Sequence, residues 1–353
     1  MTVDEVLRGR LRNQYLADFS QAGPVEVVNR LGVVQAQDFR GARWAVIQRA
    51  GPEAAARFDA DFAEGRILRT HILRPTWHFV SASDIRWMLD LSGLQIIARS
   101  SPYQRQLGIS DRMVERGGML ICNELQGGTS MTRKEISLLL SDSGHDISNG
   151  RLSHYTMFLE SQGLVCSGPL RDGEHSYALL SERAPHSRVL LHEAALAELA
   201  RRFFTGHGPA TLEDFLWWSG LNKTNAKAGI EAAGAELRHD TVEGNIHWFA
   251  QEAPTDGVRP TVRLLPNFDE YLVGYVDRSW MFDNRHTAQL GLRKNPLFEN
   301  VVLTDGIVTG TWKPIVSKKS ISIEVTHFRK LNAAERTALD AARELCVQNL
   351  RVP

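Results

Sequence analysis

The alternation of apolar and polar positions is clearest in the middle of the chain. Thr132 and Glu135 stand at T-x-x-E spacing ahead of the run Ile136, Leu138, Leu139 and Leu140. Each side chain of such a pair satisfies the other's orphan backbone N–H, so the spacing predicts a helix start there. Ser143-Gly144 ends it, and a second helical run from about Ser148 carries Leu152, Tyr155, Met157, Phe158 and Leu159 as far as Gly163. Short strands follow at 164–166 and 176–180, around the turn Arg171-Asp172-Gly173. Helix, turn, helix and hairpin in that order is the winged-helix pattern.

The pattern repeats with Thr211 and Asp214 at capping-box spacing before Phe215, Leu216 and Trp217, a stop at Gly220, and a helix over 225–233. Its hairpin is expected from residues 235–237 and 246–249 around Glu243-Gly244-Asn245. At the N-terminus, Val3, Val6, Leu7, Leu11 and Tyr15 mark an inward helix face, Pro24 starts another helix, and 77–80 reads as a strand. After Pro254 the texture turns to strands. Residues 261–265 form one, and 301–304 meets 307–312 across Asp305-Gly306, a strong hairpin signal. Another strand is expected at 320–325, and Asn332 with Glu335 caps a closing helix through about Leu350. The expectation is an α+β, mainly α fold: winged-helix units at 1–110, 111–184 and 185–254, then a β-rich hairpin unit at 255–353.

Composition narrows the function. With 353 residues, 41 basic and 41 acidic side chains and 43% apolar content, the chain is a folded multi-unit protein without a global basic field. Nucleic-acid contact therefore rests on local clusters. Lys313, Lys318, Lys319, Arg329 and Lys330 face only Glu324 within 311–330, and Arg66, Arg69 and Arg74 run to His78 without an acid. Three scattered cysteines support neither a disulfide framework nor a zinc site. No run approaches the roughly 20 apolar residues of a membrane span, and the acidic start is no secretory leader, so a cytoplasmic location is expected.

Phosphate-loop, dinucleotide, H-E-x-x-H and G-x-S-x-G patterns are missing, and His192-Glu193 lacks a second histidine, so no metal and no cofactor is expected. His145, His207 and His247 read as surface or core residues. Gln35-Ala36-Gln37, directly after a helical run, is different. Side chains two apart converge only where the segment is extended, and two carboxamides can donate and accept hydrogen bonds around one water without deprotonating it. Hydrolysis of a nucleotide C1′–N bond requires such a water beside a developing cation.

With these residues in place, the chain resembles the AlkZ/YcaQ family of bacterial winged-helix DNA glycosylases. Gln35-Ala36-Gln37 resembles its glutamine–apolar–glutamine motif, and Leu73-Arg74-Pro75-Thr76-Trp77-His78-Phe79-Val80 resembles its arginine, threonine and histidine stretch. Leu265-Pro266-Asn267-Phe268-Asp269-Glu270-Tyr271, with Asp277-Arg278, resembles its C-terminal signature, and 302–313 resembles the hairpin that probes DNA. The resemblance implies three tandem winged-helix motifs around a concave DNA-binding surface, no metal, and excision of alkylated purines from double-stranded DNA, crosslinked ones included in some members. Gln37 matches the AlkZ branch, whereas the YcaQ branch carries aspartate there and has a base for water. Gln35 and Gln37 are then the catalytic pair of a monofunctional enzyme acting as a monomer. Arg40, Arg69, Arg74 and Lys313 are phosphate contacts, His78 is a DNA-facing candidate, and Asp305-Gly306 is the hairpin turn beside the lesion. Asp269 and Glu270 are expected to pair with Arg278. The competing readings are a non-catalytic winged-helix DNA-binding protein, either a regulator or a damage binder, and a protein-interaction scaffold.

Overall fold

The computed structural model describes residues 1–20, 23–250, 261–283, 297, 299–317 and 320–350. Lys318 and Lys319 of the C-terminal basic cluster lie outside them. The chain forms an α+β, mainly α fold of two compact units, Asp59–Ala195 and the discontinuous Met1–Phe58 with Leu196–Pro353.

In the unit of residues 59–195 the T-x-x-E signal acts as expected. The Glu135 N–H donates to Thr132 Oγ1 at 3.3 Å, the Thr132 N–H donates to Glu135 at 2.6 Å, and the helix is Arg133–Asp142. Its second helix, Arg151–Ser161, starts after Gly150, and Val165–Ser167 pairs antiparallel with Ser176–Leu179. Ile136, Leu140, Leu152, Tyr155 and Leu159 form one core with Val114 and Ile121 of the helix Asp111–Glu124, while Leu138 points outward at 55% exposure. Strands Ile67–His71 and Trp77–Ser81 pair antiparallel. The basic stretch at 66–78 is less free than its sequence suggests, because Asp61 and Glu64, just ahead of it, both pair with Arg66.

His154, 2% exposed on Arg151–Ser161, has no hydrogen-bond partner at either ring nitrogen among the described residues. Burial holds its pKa below the ordinary imidazole value of 6.5. The unfolded chain therefore takes up this proton first. The stability contribution is full above the unfolded pKa and is lost as pH falls from there through the depressed folded value. We expect His154→Leu to narrow the drop in Tm between about pH 7.5 and about pH 5.5, measured by thermal melts.

The discontinuous unit brings the N-terminal segment against the C-terminal third. Helix Val3–Asn13 is capped by Thr2 with Glu5 and buries Val6, Leu7 and Leu11, but Tyr15 lies beyond its end at φ +55°. Thr211 and Asp214 cap Leu212–Ser219, where the inward residues are Phe215 and Trp218, with Trp217 at 45% exposure. The hairpin that follows Lys223–Ala233 begins at Arg238 and not at Ala235, because Gly234–Glu236 closes as a 3-10 turn. The four-stranded antiparallel sheet has the order Ile321–His327, Ile307–Val316, Val301–Thr304, Val262–Leu265. Helix Ala333–Leu350 packs on the edge strand Val262–Leu265 and on helix Phe39–Ala50, and the Trp44 indole donates to the Leu264 carbonyl at 2.7 Å.

Candidate active site

Helix Pro24–Leu31 ends because Gly32 takes φ +78°, a left-handed conformation open mainly to glycine. A Cβ at Gly32 would also lie 3.1 Å from the Trp218 indole. The chain therefore leaves the helix pressed on that ring. Val34–Gln35 then runs extended, and Asp38 opens helix Phe39–Ala50 by accepting the Arg40 and Gly41 N–H groups at 3.1 and 3.2 Å. Gln35-Ala36-Gln37 thus bridges two helices, extended as far as Gln35 and bending at Gln37 and Asp38. Ala36 is fully buried, Gln35 keeps 8% of its surface, and Gln37 is exposed.

The bridge is held from below by Glu270, itself fully buried. Its Oε1 accepts the Gln35 backbone N–H at 2.7 Å, and its Oε2 accepts the Trp218 indole N–H at 3.1 Å and faces His207 Nε2 at 3.3 Å. His207 Nδ1 is buried without a hydrogen-bond partner among the described residues. A proton there would be an orphaned donor costing about 1–3 kcal/mol, which places the ring proton on Nε2, facing the carboxylate.

Asp269 serves elsewhere. It caps the short helix Glu270–Val273 through the Tyr271 N–H and forms a two-armed ion pair with Arg49, at 2.7 and 2.8 Å. Neither Arg49 nor Asp269 exposes any side-chain surface. Arg49 also donates to the Gln14 side chain, Gln14 donates to the Tyr275 hydroxyl, and that hydroxyl donates to the His207 carbonyl. Burial raises the Tyr275 pKa far above the phenol's usual value, so it is a neutral donor. The expected Asp269–Arg278 pair does not form. Arg278 donates instead to the Leu272 and Val276 carbonyls, and the adjacency in sequence that suggested it is overridden by a turn at Phe268, φ +58°, which aims the two acids inward.

Asp38 and Arg40 open a cavity of about 550 Å³ walled by Trp44, Pro266, Trp312 and Pro314. Arg40 is exposed and makes no ion pair among the described residues. Lys313 meets Glu324 across the paired strands at 3.2 Å, an exposed pair of small energy. The Asp305-Gly306 turn has the left-handed residues its sequence demands, at φ +48° and +87°. Gly306 is buried, and its carbonyl accepts the Tyr271 hydroxyl at 3.1 Å. Asp305 Oδ1 accepts the Thr261 N–H at 2.7 Å.

Arg69, Arg74 and His78 belong to the other unit. The Arg69 guanidinium lies 4.4 Å from the Trp77 ring centre. Arg74 sits on a tight turn, where its N–H donates to the Ile72 carbonyl and its own carbonyl accepts from Thr76. His78 is fully buried, with Nδ1 donating to the Thr76 carbonyl at 2.9 Å, which leaves Nε2 to accept from Arg74 at 3.3 Å. The ring thus fixes the arginine. Among the described residues no group of three or more His, Cys, Asp or Glu side chains is placed to hold a metal ion.

Sequence reasoning missed Trp218 and His207 at this site. Helical spacing from Phe215 was a signal for Trp218, three residues on and on the same face. For His207 there was none.

Comparisons with known proteins identify the family and match the fold. A family model described as DNA glycosylase AlkZ-like matches residues 28–348. A curated relative from Streptomyces sahachiroi, called an interstrand DNA cross-link repair glycosylase, is 25% identical over 367 aligned positions, spanning 99% of this chain and 98% of the relative. The solved structure of Streptomyces sahachiroi DNA glycosylase AlkZ superposes with a TM-score of 0.79 at 21% identity, over 99% of this chain and 97% of that one. The chain belongs to the AlkZ-like family of DNA glycosylases.

Proposed function

We propose that this glycosylase hydrolyses the C1′–N9 bond of alkylated purines of the N7-alkylguanine type in duplex DNA, interstrand crosslinks among them, with a water oriented by Gln35 and Gln37. The observation that carries the reading is the bridge between two helices that exposes Gln37 while the Gln35 backbone N–H is held by a buried carboxylate. N7-alkylation makes guanine cationic. When the C1′–N9 bond breaks, its electron pair neutralises the purine, the positive charge passes to the sugar, and water adds to C1′ and gives up its proton to solvent. Carboxamides that hold this water and face the cation with their oxygens suffice, since the leaving group needs no protonation. The name of the Streptomyces sahachiroi relative supports the crosslink part. A base tied to the opposite strand cannot be flipped fully, and the open cavity beside Asp38 and Arg40 leaves room for its substituent.

Arg40, Arg69, Arg74 and Lys313 are our phosphate contacts, with His78 acting through Arg74. Gly306 is buried at the hairpin turn and Asp305, exposed beside it, ties the turn to Thr261, so we take the pair as shaping the hairpin and Lys313 as its DNA-facing residue. We take 1–110, 111–184 and 185–254 as winged-helix units and 255–353 as the hairpin unit. We take the protein as a monomer acting in the cytoplasm, at the nucleoid.

The test is release of base from a duplex carrying one N7-methylguanine, scored by alkaline cleavage at the resulting abasic site. We expect release without strand breakage before alkali, because no lysine is marked as a Schiff-base nucleophile. Binding without release rejects the reading.

A further inference from the structure

Gln35 and Gln37 can orient water only as well as the segment that carries them is held, and a buried carboxylate bonds its backbone at Gln35. We infer that Glu270 is a positioning residue for the reaction: its carboxylate, on the hidden side of the bridge, fixes the Gln35 peptide and with it the two carboxamides. The inference rests on the proposed function and deepens it.

Three observations converge on Glu270. Its carboxylate meets the Gln35 N–H at 2.7 Å, the short end of the range for an amide donor and the length of a charge-assisted bond. Its other oxygen faces the Trp218 and His207 ring nitrogens, both donors in the tautomer derived above, so the pocket is built for an acceptor on both oxygens. Trp218 is also the ring on which Gly32 turns into the motif, so the clamp grips the bridge at its entry and at Gln35. Glu270 exposes no surface and cannot meet DNA. An acidic side chain buried beneath a DNA-facing segment carries a desolvation cost that apolar packing would avoid, and what it secures here is the placement of one backbone amide.

Glutamine at 270 keeps the size and loses the match. With its oxygen toward Gln35, its NH₂ confronts the indole N–H; flipped, it confronts the Gln35 N–H. The experiment compares wild type with Glu270→Gln in single-turnover release from N7-methylguanine duplex and in binding to a duplex bearing the non-hydrolysable 2′-fluoro analogue. The amide resonance of Gln35 is followed in both proteins labelled with ¹⁵N-glutamine. We expect the release rate to fall about 100-fold, the cost of a misplacement of about 1 Å, with duplex affinity held. The Gln35 amide proton should sit far downfield in wild type and move upfield in the variant. A variant rate near that of wild type, or a rate loss matched by an equal loss of affinity, overturns the inference. An ordinary Gln35 amide shift in wild type also overturns it, even if Glu270→Gln fails to fold. Wild type without any release rejects the proposed function instead, so the two failures are distinct.

Discussion

Gln37→Ala is expected to slow single-turnover release of N7-methylguanine by on the order of 10²–10³-fold, the usual cost of removing one preorganised polar group at a developing charge. Affinity for a non-hydrolysable lesion duplex should stay within about threefold of wild type, since an interaction made only in the transition state lowers the rate and not ground-state binding. The structure supports this separation. Gln37 is exposed, follows the fully buried Ala36, and lies outside the core, so its truncation opens no cavity. The bridge stays anchored through Gly32, the Gln35 amide and the Asp38 cap, none of which uses the residue 37 side chain. The measurement is the release rate with enzyme in excess, beside a binding titration at the same salt, because phosphate contacts make affinity salt-dependent. An unchanged rate would remove Gln37 from the chemistry. A fall in rate and affinity together would make it a DNA contact.

What the sequence revealed was local. The caps at Thr132, Thr211 and Asn332 and the Asp305-Gly306 turn were legible because their hydrogen bonds join residues three apart or fewer, so the spacing itself encodes the geometry. The place of Gln35 and Gln37 just after a helix was legible as well, because the periodic run stops at Gly32 and the next residues leave the helix. The supports of the site were not. Glu270 reaches Gln35 across 235 positions and Arg49 reaches Asp269 across 220, and no periodicity relates residues so far apart. Sequence proximity favoured Arg278 as partner for the two acids, but the left-handed turn at Phe268 directs Asp269 inward to Arg49. Burial misled at the tryptophans as well. Trp217 and Trp218 are equivalent in composition, and only the face set by Phe215 separates the half-exposed ring from the one that holds the carboxylate.

Asp269→Ala is expected to cost about 3–5 kcal/mol of stability, the largest effect of any single substitution considered, because it strands a buried guanidinium. Arg49 has no exposed surface; two of its five hydrogen bonds go to Asp269, and only the three to the Gln14 carbonyl, the Gln14 side chain and the Ala45 carbonyl remain in the variant. With the carboxylate gone, the charge is neither solvated nor paired. The same deletion removes the cap of Glu270–Val273, worth about 1 kcal/mol by itself. Urea and thermal unfolding measure the loss, and the double variant Asp269→Ala with Arg49→Leu separates its causes. If the stranded charge dominates, the double variant recovers most of the stability, since an apolar side chain tolerates the site that an unpaired guanidinium does not. If the cap and the Arg49 contacts to Gln14 and Ala45 dominate, the double variant is no more stable than the single one. The recovered protein should still release base slowly, because the cap that aims Glu270 at the Gln35 amide is absent from it, and a double variant with full stability and full activity would detach the Asp269 pair from the site altogether.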